Sequence, residues 1–259
     1  MKHGFCNLAI VPIRRDFSHS SEMVSQLLFG DVFSILDERD SWFLIENYED
    51  KYIGWVEKKQ VILIKEEEYV WYNSSSKLFT KDAIAYIFQT NLKTKEKIIY
   101  PIYFGSQIIN QKFQLNNILF EISPASLQLT AKSGAISLMA IAIKYLSTPY
   151  LWGGKSIFGI DCSGFTQICF KQVGITLLRD AKDQALQGET INSIDYAAKG
   201  DLCFFENEDK KIIHVGIYMG ENKIIHSSGQ VRIDYINEKG IFQNKEKQTH
   251  ILSSIKRVL

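Results

Sequence analysis

The sequence predicts an α+β chain in which two small β-barrels precede a larger domain of helices followed by a mainly antiparallel sheet. Three observations lead there. Short runs of β-branched and aromatic residues, broken by Gly, Asn, Asp and Ser, crowd residues 5–64 at the density of a small barrel. A looser version of the pattern fills 65–128 and closes on Ser123-Pro124-Ala125-Ser126. Beyond it the period changes: Leu138, Ile141, Ala142 and Tyr145 share one helical face, and strand-like runs return only from Gly200. The expected division is therefore 1–64, 65–128 and 129–259. A chain of 259 residues, 46% of them hydrophobic, can bury a core in each part.

In the first part, Cys6–Ile13, Ser25–Leu28, Val32–Leu36, Trp42–Asn47, Tyr52–Val56 and Val61–Ile64 are runs of strand length. Leu28-Phe29-Gly30-Asp31, followed by Trp42-Phe43-Leu44-Ile45 and Tyr52-Ile53-Gly54-Trp55-Val56, resembles bacterial SH3-like domains. Such domains bind cell-wall peptide or pack against a catalytic domain; a purely structural barrel is the alternative. Next, the charged run Lys65-Glu66-Glu67-Glu68 reads as a solvated linker or face. Tyr69–Tyr72, Ala83–Phe88, Ile98–Phe104 and Lys112–Ile122 are again short apolar runs, and Phe104-Gly105-Ser106 echoes Phe29-Gly30-Asp31. The expectation is a second, divergent SH3-like barrel.

Composition excludes some classes of function. With a net charge of +1 there is no electrostatic reason to expect a nucleic-acid partner. No apolar run reaches transmembrane length, and Pro12 breaks the short apolar patch near the start. The expected location is cytoplasmic, or periplasmic or secreted with a leader removed. Four cysteines, Cys6, Cys162, Cys169 and Cys203, show neither paired nor metal-ligand spacing, so no metal and no cofactor is expected. The expected state is a monomer.

In the last part, a helix over Gly134–Leu146 stops before Thr148-Pro149, and an aromatic, Gly-rich loop leads to Gly159-Ile160-Asp161-Cys162-Ser163-Gly164. Asp161 has the character of an N-cap, which puts Cys162 at the first helical position. Unpaired N–H groups and the positive end of the helix dipole there favour a thiolate, and the same N–H groups suit an oxyanion. A small buried cysteine is the plain alternative. The helix runs on to Gln172, where Gly174 stops it, and Asp180–Leu186 suggests another. Gly200–Phe205, Ile212–Met219, Lys223–Ser227, Val231–Ile236 and Ile251–Val258 are the expected strands.

A cysteine nucleophile needs a base. Of His3, His19, His214, His226 and His250, two lie in one hairpin-like unit with a Gly220-Glu221-Asn222 turn. Pairing Met219 with Lys223 puts His226 opposite Gly216 and diagonal to His214, on one face of the sheet. Gly216, having no side chain, leaves an opening there against which the start of the Cys162 helix fits.

These residues carry a resemblance. Pro149–Gly154, Asp161-Cys162-Ser163-Gly164-Phe165, Arg179-Asp180-Ala181 with Gln184, Gly200-Asp201-Leu202, His214–Tyr218 and Ile225-His226-Ser227 stand in the order of the NlpC/P60 cysteine peptidases. The resemblance covers roughly the last half of the chain and implies a papain-like core. Cys162 is then the nucleophile, His214 its base and later the acid, and His226 the group that orients the imidazole. Tyr150 corresponds to a tyrosine lining the family's oxyanion site, with aromatic loop packing as the alternative. Members with preceding barrels resemble γ-D-glutamyl-L-diamino-acid endopeptidases of murein peptides, in which the first barrel roofs the active site. That implies Glu22 and Tyr52 as partners of a free substrate amine, and Asp161, Ser163 and Asp180 as further substrate-binding residues. The subgroup's serine after Arg-Asp is Ala181 here, so one hydrogen bond to substrate is expected to be missing. A wall amidase or acyltransferase on the same core, or a non-catalytic wall-binding protein, are the other readings. Which diamino acid is preferred is open.

Overall fold

The structure, a computed structural model, describes residues 1–130, 134–244 and 246–259. The chain divides into two compact units, Met1–Thr130 and Ala131–Leu259. The first opens with strands β1 (Lys2–Phe5), β2 (Ile10–Arg14), β3 (Met23–Leu28), β4 (Val32–Arg39), β5 (Trp42–Asn47), β6 (Ile53–Glu57) and β7 (Ile62–Ile64). They form one sheet in the order β3-β2-β6-β5-β4-β1-β7. Alternation decides its inside: Val11, Ile13, Phe33, Ile35, Phe43, Ile45 and Val56 meet in a dry cluster. The expected strand over Cys6–Ile13 is a turn, Cys6–Ala9, followed by β2; β1 precedes it, and the Cys6 carbonyl accepts from Gly30 N–H at 3.0 Å.

The acidic run after β7 is not a linker. It is the first turn of α1 (Glu66–Ser74), where three glutamates sit at the positive end of the helix dipole and the Glu68 carboxylate accepts from Lys65 N–H at 2.9 Å. Tyr69-Val70-Trp71-Tyr72, read as a strand-like run, is therefore helical; Tyr72 is fully buried, while Val70 and Trp71 face outward. The rest of this unit is β8 (Leu78–Thr80), β9 (Ile84–Asn91), β10 (Lys97–Tyr103), β11 (Gln107–Ile108), β12 (Lys112–Leu115), β13 (Ile118–Ile122) and β14 (Leu127–Leu129), in sheets ordered β10-β9-β13-β12 and β11-β8-β14. The echo between the two barrels is real in the backbone. Gly30 and Gly105 take φ of 94° and 86°, and Asp31 and Ser106 each donate N–H back to the third residue before them, Leu28 and Tyr103. Phe5, Phe29, Val32 and Ile64 pack with Tyr72, Ile87, Ile102, Phe113 and Phe120, so the two barrels share a hydrophobic cluster.

The second unit carries α2 (Ala135–Ile143), a two-stranded ribbon of β15 (Lys155–Ser156) and β16 (Gly159–Ile160), α3 (Cys162–Lys171) and the single turn α4 (Ala181–Gln184). Then come β17 (Glu189–Ile191), β18 (Leu202–Glu206), β19 (Ile212–Gly220), β20 (Lys223–Ser228), β21 (Gln230–Asn237), β22 (Gly240–Gln243) and β23 (Lys247–Arg257). Their order is β17-β23-β18-β19-β20-β21-β22, and β22 also pairs with β23, so the sheet closes on itself. Cys203, Phe205, Tyr218, Ile224, Ile236, Ile241 and Ile255 make a core within it. Every residue of α3 is buried, because the helix is packed on β19 and β20 and flanked by α2 and α4. The expected layout, helices first and an antiparallel sheet after, is what the structure has: an α+β, papain-like domain preceded by SH3-like barrels. No helix among the described residues is long and apolar enough to cross a membrane.

Candidate active site

Asp161 caps α3 in the expected way, with extended backbone and its Oδ1 accepting from Gly164 N–H at 2.6 Å. The same carboxylate also accepts from Gly153 N–H at 2.8 Å and from both terminal nitrogens of Arg179, at 3.0 and 2.6 Å. Arg179 in turn donates to Ser163 Oγ at 2.9 Å. Asp161, Ser163 and Arg179 are all buried, so this fork-shaped ion pair is a fixed part of the scaffold. Asp161 and Ser163, expected to bind substrate, have side chains that meet Arg179 and hold the helix start. Gln184 ties the next turn to it, accepting from Thr166 Oγ1 at 2.7 Å and donating to the Ser163 carbonyl at 3.0 Å.

Cys162 occupies the first position of α3 and is 8% exposed. Its sulfur receives backbone hydrogen bonds from Val215 and Ser163, which places it against the strand residue that follows His214. Burial works against the thiolate that the helix start favours. Burial and the nearby Asp161 charge push the thiol up to about 12, and they outweigh the lowering by those two N–H groups and Arg179. His214 is shifted well below its ordinary value, by burial first and then by His226 and His250. Both shifts favour the uncharged form, of the thiol and of the imidazole. Tyr150 is partly exposed at the lip of this region; burial, Cys162 and Asp161 hold its hydroxyl in the protonated form. Asp180, half-buried, is the residue preceding α4.

The histidine register is as the pattern implies, by a different turn. Gly216 pairs with His226, Ile217 with Ile225 and Tyr218 with Ile224. The turn itself is the two-residue Glu221-Asn222, both at positive φ (54° and 55°), with Gly220 opposite Lys223. Met219 is the extra residue of a bulge, and that bulge restores the expected register beyond it. Nor is the space over Gly216 an opening: a Cβ there would lie 2.8 Å from both His226 Cβ and Ile224 Cδ1. Those side chains fill it, and the result is contact between the rings, with His214 Nε2 2.8 Å from His226 Nδ1.

Two residues near this pair escaped the sequence reading. Asp234, on β21, lies with Oδ2 3.1 Å from His226 Nε2 and is gripped by Arg232. His250, on β23, stacks on the His214 ring at 4.3 Å between centroids and stands edge-on to His226. Burial, with His226 nearby, lowers His250 to about 4, so it is a neutral stacking partner near pH 7. The first could have been found by extending the pairing across the next hairpin, where His226 faces Arg232 and Ile224 faces Asp234. The second has no local signal. In the first unit, Glu22 precedes β3 and pairs with Arg15 at 2.8 Å, and Tyr52 precedes β6, its carbonyl accepting from Asn47 N–H at 2.9 Å.

A thiol at a helix start, laid on a sheet whose adjacent strands hold a hydrogen-bonded imidazole pair, defines a class: the papain-like cysteine peptidases. Residues 147–250 match the NlpC/P60 family, and residues 13–61 match the bacterial dipeptidyl-peptidase SH3 domain. A Bacillus subtilis (strain 168) relative, named gamma-D-glutamyl-L-lysine dipeptidyl-peptidase, is 30% identical over 226 residues, covering 78% of this chain and 71% of that protein. The chain belongs to the NlpC/P60 family of peptidoglycan hydrolases. A Bacillus cereus relative of the same name is 27% identical over 235 residues, 81% of this chain and 68% of that one. Among solved structures, an NlpC/P60 family protein from Bacillus cereus ATCC 10987 superposes with a TM-score of 0.81 at 18% identity, over 98% of this chain and 99% of the other, a likeness of fold.

Proposed function

We propose that the chain is a cysteine endopeptidase hydrolysing the bond between γ-linked D-Glu and a diamino acid in murein peptides that carry a free N-terminal L-Ala. The observation that carries the chemistry is the joined pair His214–His226 beside a capped helix start with Cys162 at its first position. The names of the two Bacillus relatives support the bond chosen. In this reading the Cys162 S–H proton passes to His214 as sulfur attacks the scissile carbonyl, a concerted transfer that suits a neutral resting pair. The carbonyl oxygen, now negative, is held by N–H groups at the start of α3 with Tyr150 at the edge of the site. His214 then gives its proton to the leaving amine, and the thioester remains. A water attacks it, losing its proton to His214, and Cys162 regains that proton as the acid product departs. His226 orients the imidazole throughout.

Glu22 and Tyr52 are proposed as partners of the substrate amine, and Asp161, Ser163 and Asp180 as further contacts, the first two also fixing the helix start. The divisions 1–64, 65–128 and 129–259 are proposed as the two barrels and the peptidase domain. The deciding experiment offers free L-Ala-γ-D-Glu-diamino-acid tripeptide, its N-acetylated form and whole sacculi to the protein, with products read by mass spectrometry. Cleavage of the free tripeptide alone is expected. Equal cleavage of the acetylated peptide would remove the amine requirement, and no cleavage of any of the three would remove the endopeptidase reading.

A further inference from the structure

Resting on that reading of Cys162 and His214, the hydrogen bonds behind the pair determine which nitrogen does the work. Asp234 is 9% exposed and, although burial opposes it, bonds from His226 and Arg232 hold its carboxyl below the ordinary value, so it is ionised near neutral pH. A carboxylate only accepts, so His226 donates from Nε2 to Asp234 Oδ2 across 3.1 Å. In a neutral ring the other nitrogen, Nδ1, then carries the lone pair. With that lone pair on His226, His214 Nε2, 2.8 Å away, is the donor. The lone pair of His214 is left on Nδ1, the nitrogen that does not face His226.

We propose that Asp234 is a positioning residue that sets the tautomer of both rings, so that His214 presents an unprotonated Nδ1 as the base. Arg232 keeps the carboxylate in place, with its Nη2 2.9 Å from Oδ1 and its Nε 2.8 Å from Oδ2. His250, stacked on His214, restrains the ring from the other side. This arrangement extends the usual pattern, in which an acid orients one imidazole, to two imidazoles in series.

Asp234→Asn tests it with little change of shape. Arg232 will claim the amide oxygen and turn the NH2 toward His226 Nε2. His226 then has to accept there and donate from Nδ1; His214 has to accept at Nε2, and its proton moves to Nδ1. Two-bond proton–nitrogen NMR on histidine-labelled protein reads this directly. The expected result is Nε2–H for both rings in the wild type and Nδ1–H for both in Asp234→Asn. Turnover of tripeptide should fall on the order of 10⁴-fold through kcat with KM little changed, the loss for the comparable change in a serine triad. Adding Arg232→Ala frees the amide to turn its oxygen to His226, and should restore the wild-type tautomers and much of the rate. Nδ1–H on His214 in the wild type, identical tautomers in wild type and Asp234→Asn, or switched tautomers with an unchanged kcat would each overturn the proposal. The NMR result holds even if no murein peptide is cleaved, so failure of the function and failure of the relay are told apart.

Discussion

Gly216→Ala is the smallest perturbation that reaches the imidazole pair without touching either ring. The new methyl would lie 2.8 Å from Ile224 Cδ1 and 2.9 Å from Ile224 Cγ1, and 2.8 Å from His226 Cβ. The isoleucine contacts are with the free end of a side chain, which can turn away. The histidine contact cannot be relieved in that way, because Cβ is fixed to the backbone of the residue paired directly opposite. His226 must therefore shift by a few tenths of an ångström, and the 2.8 Å bond to His214 shifts with it. Overpacking of this kind costs about 1–3 kcal/mol, which for a chain of this size lowers Tm by about 2–4 °C per kcal/mol. The misplaced ring should lower kcat/KM roughly 10- to 100-fold, the loss expected when a reacting group is displaced by up to an ångström. Thermal unfolding by circular dichroism and hydrolysis of free tripeptide measure the two effects separately. In the double variant Gly216→Ala, Ile224→Ala one of the two clashes is gone, yet the rate should stay low because the clash with His226 persists. A double variant with wild-type turnover, or a single variant unchanged in both assays, would refute the reasoning.

Cys162→Ala should abolish hydrolysis with Tm within a few degrees of wild type, whereas Cys169→Ala, two turns on along the same buried helix, should keep its activity; progress curves on tripeptide decide both. His226→Gln should lose rate strongly but less than His214→Ala, since one orients and the other carries the proton, as kcat values will show. Glu22→Ala should weaken turnover of the free tripeptide about tenfold, the low end of what one charged hydrogen bond supplies, because an arriving ammonium must compete with Arg15 for the carboxylate. His250 is lowered from an ordinary 6.5 to about 4 by burial, so between those values the unfolded chain binds more protons than the folded one. Stability should thus fall as pH drops from 6.5 to 4, and His250→Phe should flatten part of that slope in urea melts taken at intervals of pH.

Much of the site was legible because it depends on local rules. The Asp161 cap, the first-turn cysteine and the parity of two strands follow from short-range geometry, and the register held even though the turn was misplaced, since the Met219 bulge offset the shorter loop. What the pattern missed involves more than one element. The thiol's charge state depends on how deeply α3 is enclosed by β19, β20 and its neighbouring helices, and no helix-terminus argument contains that depth. His250 reaches His214 only because β22 and β23 close the sheet. The run Lys65–Glu68 was legible only as a linker or a solvated face for another reason: three acids suit both a linker and the exposed first turn of a helix, and the buried Tyr72 further along distinguishes them.

The closure of that sheet also bears on when the site can exist. β23 joins β17, β18 and β22, and Arg257 near its end clasps Asp201 at the entrance to β18 with bonds of 2.8 and 2.7 Å. It is synthesised after all of its partners. A ribosome-bound chain that has already released Cys162, His214 and His226 therefore still has an open sheet and no stacking partner for His214. Domains fold as units, with non-local pairing deferred until the whole sequence is free. The strand of this sheet that is made last is thus the one that brings His250 onto His214, and a chain stopped before β23 should show no turnover of tripeptide.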